Sequence, residues 1–210
     1  MKGNAFSLSL TIIFFPFLAA CVPYAVVGGK YTASTENFIV DLPQGWRRHD
    51  LSADADRVAR AVVEELQKRR KLDWDTVRIT RDSLLLQQIG IGRVSVNDEL
   101  PHTKKKLSQG MLPQEAAEVL TDSIRANPNL IRQEIMENIP ATVGGKPGFK
   151  LHYTYSTKEE LKIEGLLYGA LADQWLYYVL YEAPAQHYFK KDLQVFEGTR
   201  GSFQISAGRG

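Results

Sequence analysis

Four histidines, one cysteine and a set of buried-looking tyrosines are the side chains of this chain most able to do chemistry. His49, His102, His152 and His187 stand far apart, and no two of them share a metal-ligand spacing. No HExxH, CxxC, G-x-S-x-G or phosphate-binding glycine loop occurs, so zinc, acyl-transfer and nucleotide chemistry lack their usual scaffolds. Glu182 and His187 flank Ala183-Pro184-Ala185 and could meet across that turn as a base and its orienting group. No nucleophile stands beside them, and a triad is a matter of geometry rather than of residue type. The sequence therefore predicts no catalytic residue, no metal and no cofactor. It leaves Glu182, His187, Tyr153 and Tyr155 as candidates for a ligand or partner surface.

Cys21 is the only cysteine. It closes an uncharged stretch from Ala5 to Ala20 that follows Lys2, the layout of a secretory signal. A membrane-spanning helix needs about 20 apolar residues, and this run is shorter and contains Pro16. Leu18-Ala19-Ala20-Cys21 resembles the bacterial lipobox. That resemblance implies cleavage before Cys21, diacylglycerol on its thiol, and two or three acyl chains in all. Buried methylenes contribute about 0.8 kcal/mol each, so several chains anchor a protein stably where one does not. In the Gram-negative sorting pattern an Asp after the cysteine favours the inner membrane. Val22 instead points to the outer membrane, facing the periplasm.

Residues 1–20 hold a single charge, Lys2, so the remainder carries 25 basic against 24 acidic residues. Nucleic-acid binders usually show a strong basic excess, and none exists here. With Cys21 acylated no thiol remains, so stability in an oxidising compartment rests on packing without disulfides.

The elements that would position the candidate residues follow from periodicity. Val26 to Thr35 is small and polar and reads as a flexible tether. Phe38 to Leu42 is a strand ending at Pro43. Asp54 to Arg70 carries an apolar stripe at helical spacing, Ala55, Val58, Ala59, Val62 and Leu66. Val77 and Ile79 begin a strand, Arg81-Asp82-Ser83 breaks it, and Leu84 to Val94 resumes. Gly90-Ile91-Gly92 inside that run suggests a bulge or close packing. Pro113 suits the first turn of a helix that Asn127-Pro128 ends. Leu130 to Glu137, Phe149 to Tyr155, Leu161 to Leu171 and Gln174 to Glu182 are strands, with Gly144-Gly145 a turn. His187 to Phe203 is a last helix. Trp175 to Tyr181 is apolar on both alternating faces, as a central strand covered on both sides would be. Tyr153, Tyr155, Tyr168, Tyr177, Tyr178 and Tyr181 form either an aromatic binding surface or a core whose hydroxyls reach the sheet margin. Lys104-Lys105-Lys106 is a solvated loop that could also meet anionic headgroups.

Phe38-x-Val40-x-x-Pro43-x-x-Trp46, the Trp175-x-Tyr177 strand and Phe189, Leu193, Phe196 and Ser202-Phe203 together resemble the PsbP/DcrB-like fold. That group includes the photosystem-II extrinsic protein, bacterial lipoproteins and a Ran-binding nuclear transport factor. The resemblance spans nearly all of residues 36–205, and the Asp54–Arg70 stripe has no place in it. It implies an α+β domain, an antiparallel sheet covered by helices on both faces in an α/β/α sandwich. The expected organisation is a signal peptide (1–20), a lipidated tether (21–35), one domain (36–205) and a disordered tail (206–210). The expected function is an envelope lipoprotein, held in the bilayer through Cys21, that presents a non-enzymatic domain to an unknown protein partner. The alternative is a periplasmic enzyme or small-ligand binder with a pocket near Glu182 and His187.

Overall fold

The computed structural model describes residues 24–49, 75–83 and 86–206. The signal segment, Cys21, the Asp54–Arg70 stripe and residues 207–210 of the expected tail lie outside them.

Among the described residues, nine strands and two helices alternate with short connections. The strands are β1 (Tyr24–Ala33), β2 (Phe38–His49), β3 (Asp75–Thr80), β4 (Gln88–Ser95), β5 (Ile131–Val143), β6 (Lys146–Ser156), β7 (Lys162–Ala172), β8 (Trp175–Pro184) and β9 (Gln204–Ile205). The helices are α1 (Pro113–Arg125) and α2 (Tyr188–Ser202). One sheet results, in the order β1-β2-β3-β4-β8-β7-β6-β5, with β9 on β2 and every pairing antiparallel.

β8 lies in the middle of that order and separates two cores. Tyr177, Val179, Tyr181 and Ala183 face one, with Phe38, Trp46, Ile79 and Ile91. Phe189 and Phe196 of α2 close it. Leu176, Tyr178 and Leu180 face the other, with Phe149 and Leu151 and with Ala116, Ala117 and Leu120 of α1.

The α/β/α sandwich is not what forms. Among the described residues, two helices of 13 and 15 residues serve a nine-stranded sheet, and neither covers a whole face. α1 packs on β5, β6 and β7, and α2 on β2 and β8. A loop supplies the rest of the α1 side, burying Val96, Leu100 and Leu107. The β1–β2 hairpin supplies the rest of the α2 side. It meets β3 only at Arg47↔Thr80 and Arg48↔Ile79, and Phe38, Val40 and Leu42 pack into the core beyond. The physical reason is that a doubly apolar strand demands cover, but its pattern does not say whether helix, loop or hairpin provides it. The architecture is β-rich.

The expected tether is also replaced by structure, since its residues form most of β1, paired along β2 from Tyr24↔His49 to Ala33↔Phe38. Its glycines are a bulge and not a hinge. The register slips between Val27 and Gly29, and Gly29 takes φ +83°, which glycine adopts without a Cβ penalty. Ala33 is buried and Tyr31 packs against the core, which offsets the entropy of ordering the strand.

Two polar ties fix the ends of α2. Ser202 Oγ accepts from Asp41 N at 2.9 Å, joining the helix end to β2. At the helix start, fully buried Asp192 accepts from Arg81 Nη1 at 2.7 Å and from Gln87 Nε2 at 3.1 Å. Neighbouring Asp82 accepts from Gln87 Nε2 and from Lys191 Nζ, which holds its carboxyl below the usual range. That contribution is complete above the ordinary carboxylate range and fades as pH falls through the lowered folded value. Replacement of Asp192 by Ala leaves the buried Gln87 amide with Asp82 but without its second acceptor, while half-exposed Arg81 can turn to water. Asp192→Ala is therefore expected to cost about 1–3 kcal/mol in urea unfolding, and Asp82→Asn clearly less, because Asp82 is partly solvated. Equal losses would show that Asp192 is not the anchor.

Candidate functional site: a cavity under helix α1

On the α1 side, strand register places Tyr153 of β6 opposite Gly165 of β7, and Gly165 opposite Glu182 of β8. Gly165 is the reason these residues interact. The Tyr153 ring lies where its side chain would be, so that an added Cβ would come within 2.5 Å of the ring. Crossing that gap, the Tyr153 hydroxyl donates to Glu182 Oε1 at 2.6 Å. The short distance is that of a charge-assisted bond. Tyr155 stacks on Tyr153 with centroids 6.3 Å apart. Phe149 lies over Gly169 in the same manner two pleat repeats away.

Above this row is a cavity of about 70 Å³. Leu167, Leu176 and Leu180 floor it and Leu120 and Ile124 of α1 roof it. Its polar lining is Glu182, Tyr153 and Tyr178, with His102, Ser123 and Asn127 on the side of the loop and α1. Glu182 is 6% exposed. Ser123 Oγ donates to Pro101 O and Asn127 Oδ1 accepts from Asn129 N, so side chains at the end of α1 pin the loop segments bordering the cavity.

Of the residues the sequence singled out, Tyr153, Tyr155 and Glu182 come together and His187 does not. His187 precedes α2, its ring edge-on to Tyr188 at 5.0 Å, and it does not line the cavity. Glu182 points to the α1 side whereas its neighbours Tyr181 and Ala183 point to the α2 side. No Glu182–His187 dyad exists. His152 pairs with Glu164 at 2.8 Å and stacks on Phe189. All six tyrosines are buried, so they form no exposed aromatic surface, and Tyr153 and Tyr178 line the cavity. The Tyr181 hydroxyl donates to the Tyr188 and Phe189 carbonyls and that of Tyr168 to Glu197. Burial, above all, raises both phenols beyond their ordinary range. Lys105 bonds Asp122 of α1 at 2.6 Å, tying the lysine loop down. No group of three His, Cys, Asp or Glu that could hold a metal occurs among the described residues. The sequence reading missed the Tyr153–Gly165–Glu182 row. Its only trace in the sequence is Gly165 inside the β7 strand.

No family model matches the chain, and no curated protein matches it in sequence. Solved structures do resemble it. Cyanobacterial PsbP (CyanoP) from Synechocystis is 12% identical over 90% of this chain and 98% of its own, with a TM-score of 0.53. The Saccharomyces cerevisiae Ran-binding protein Mog1p is 7% identical over 86% and 96%, with a TM-score of 0.51. Mycobacterium tuberculosis LpqN, described as involved in cell envelope biogenesis, is 14% identical over 89% and 92%, but its TM-score of 0.47 supports no argument. The chain thus has a PsbP-like fold, and at these identities the likeness shows the fold alone.

The glycine row can be tested by a double-mutant cycle. Gly165→Ala should cost about 1–3 kcal/mol because the Tyr153 ring must move, and Tyr153→Phe a similar amount through loss of a bond to a buried carboxylate. With Tyr153→Ala in the background, Gly165→Ala should cost measurably less. Additive losses in chemical unfolding would refute the contact.

Proposed function

We propose that this chain is a membrane-anchored envelope lipoprotein whose PsbP-like domain binds a protein partner and performs no chemistry. The observation that carries the reading is the distribution of exposed apolar residues. Ile131, Met136 and Ile139, at 43, 51 and 45% exposure, all lie on the open edge strand β5. Leu161, also exposed, lies in the β6–β7 turn beside Glu160, which meets Arg132 of that edge. Clusters of this kind are a mark of interaction sites, whereas single exposed residues are not.

The edge is guarded against indiscriminate strand addition. The register slips twice, between Ile131 and Glu134 and between Ile135 and Glu137, and Pro140 removes a donor. A partner would therefore engage side chains more than backbone. The fold resemblance to Mog1p, described as Ran-binding, is compatible with a partner-binding role. Anchoring rests on the lipobox-like Leu18-Ala19-Ala20-Cys21. No helix among the described residues is long and apolar enough to cross a membrane.

Two experiments test the reading. Wild type should incorporate labelled palmitate and sediment with membranes, whereas Cys21→Ser should lose the label and leave the membrane pellet. A Cys21→Ser protein that keeps both properties refutes the anchor. In cross-linking of intact envelopes, Met136→Glu combined with Ile139→Lys should abolish the wild-type adducts at unchanged melting temperature. Unaltered adducts would exclude β5 as the docking edge.

A further inference from the structure

We propose that the open edge of β1 lies along the lipid headgroup layer of the membrane that holds Cys21, so that the domain is mounted sideways on the bilayer. This orientation rests on the anchoring reading above and adds to it the face that meets lipid.

Chain length sets the first constraint. Only Val22 and Pro23 separate Cys21 from Tyr24, where β1 already pairs with His49 of β2. Three peptide links reach at most about 11 Å in any conformation. The acyl chains of a lipidated Cys21 are buried in hydrocarbon, which fixes the residue at the inner margin of the headgroups. A headgroup layer is about 5–8 Å deep. The start of β1 is therefore held in that layer or just outside it.

The open edge sets the second constraint. Among the described residues, β1 bonds to β2 on one side and to no strand on the other. An edge of this kind is a template for strand addition unless something guards it. β5 has two register slips and Pro140, whereas β1 has a single bulge between Val27 and Gly29 and no proline. Lipid headgroups and their water can bond the outer N–H and C=O groups of β1 without extending the sheet. A bilayer under β1 thus supplies the guard that its sequence lacks.

Side chains at the anchored end agree. Val26, at 73% exposure, is the most exposed large apolar residue among those described. Arg47 is directly opposite it and is also exposed. Val27 packs against the core and Trp46 opposite it is buried, so the Val26–Arg47 pair faces outward. Residues 24–28 and 45–49 include no Asp or Glu. An apolar side chain beside a guanidinium suits the boundary where acyl carbons give way to phosphate oxygens, which Arg binds through paired N–H groups. β5 lies at the other end of the strand order, so this orientation leaves its apolar residues open to a protein partner.

The test uses the full acylated chain in vesicles of phosphatidylcholine and phosphatidylglycerol, part of the phosphatidylcholine carrying a nitroxide on its headgroup. A bimane fluorophore is attached through Val26→Cys, Lys30→Cys or Met136→Cys, all at exposed positions; acylated Cys21 offers no competing thiol. The probes at positions 26 and 30 should both lose most of their fluorescence to the nitroxide, and the probe at 136 should keep most of its own. Quenching at 26 but not at 30 would show a strand standing upright from the bilayer and would overturn the proposal, as would equal quenching at all three positions. Mass spectrometry of the same samples separates the two readings. Protein without the acyl mass refutes the anchor and the orientation with it, whereas acylated protein with an unquenched probe at position 30 refutes the orientation alone.

Discussion

Everything else in this structure depends on β8 having no face that tolerates water. Leu176, Tyr178 and Leu180 on one side and Tyr177, Val179 and Tyr181 on the other are all buried, so the sheet must be covered twice. The two short helices among the described residues cannot do that alone. The chain enlists the β1–β2 hairpin on one side and the Val96–Leu107 loop on the other. The two cores are consequently unlike each other. The α2 side is tied by the Asp192 and Ser202 hydrogen bonds and by stacked aromatic rings, with Tyr181 5.2 Å from Phe196. The α1 side is closed by aliphatic residues and a pinned loop, and it retains the cavity.

The strict alternation of β8 also decides which residues can cooperate. Glu182 and the helix that starts beside His187 are only a few residues apart in sequence, but period two sends Glu182 to the opposite face from the residues that pack on α2. Partners of Glu182 come instead from across the sheet. Tyr153 is 29 positions away in the chain and reaches it only because β7 presents a glycine between them. Proximity in sequence is a poor guide to proximity in a sheet, and register is a good one.

What was legible in the sequence is what local pattern encodes. Alternation marked β6, apolar runs marked β7 and β8, Pro113 and Asn127-Pro128 bracketed α1, and the Phe189, Leu193, Phe196 spacing marked α2. Gly144-Gly145 forms the expected turn, with φ of +58° and +79°. What was not legible depends on contacts between distant segments. Small and polar residues with two glycines describe a tether and a bulged edge strand equally well, and only the pairing with β2 decides between them. The identity of the cover over β8, the burial of all six tyrosines and the cavity depend on how strands align. No window of one sequence contains that alignment.

The two-residue strand β9 is small but placed at a seam. Ile205 pairs with Phe38 of β2, and its N–H also reaches Gly144 O at the β5–β6 turn. The segments made late, β8, α2 and β9, are therefore those that complete both cores and join distant parts of the sheet. A chain made from its N-terminus has neither core until β8 is complete, since residues of β8 contribute to both. The last elements made are thus the ones that close the two faces of the sheet, so loss of β8 would open both cores at once.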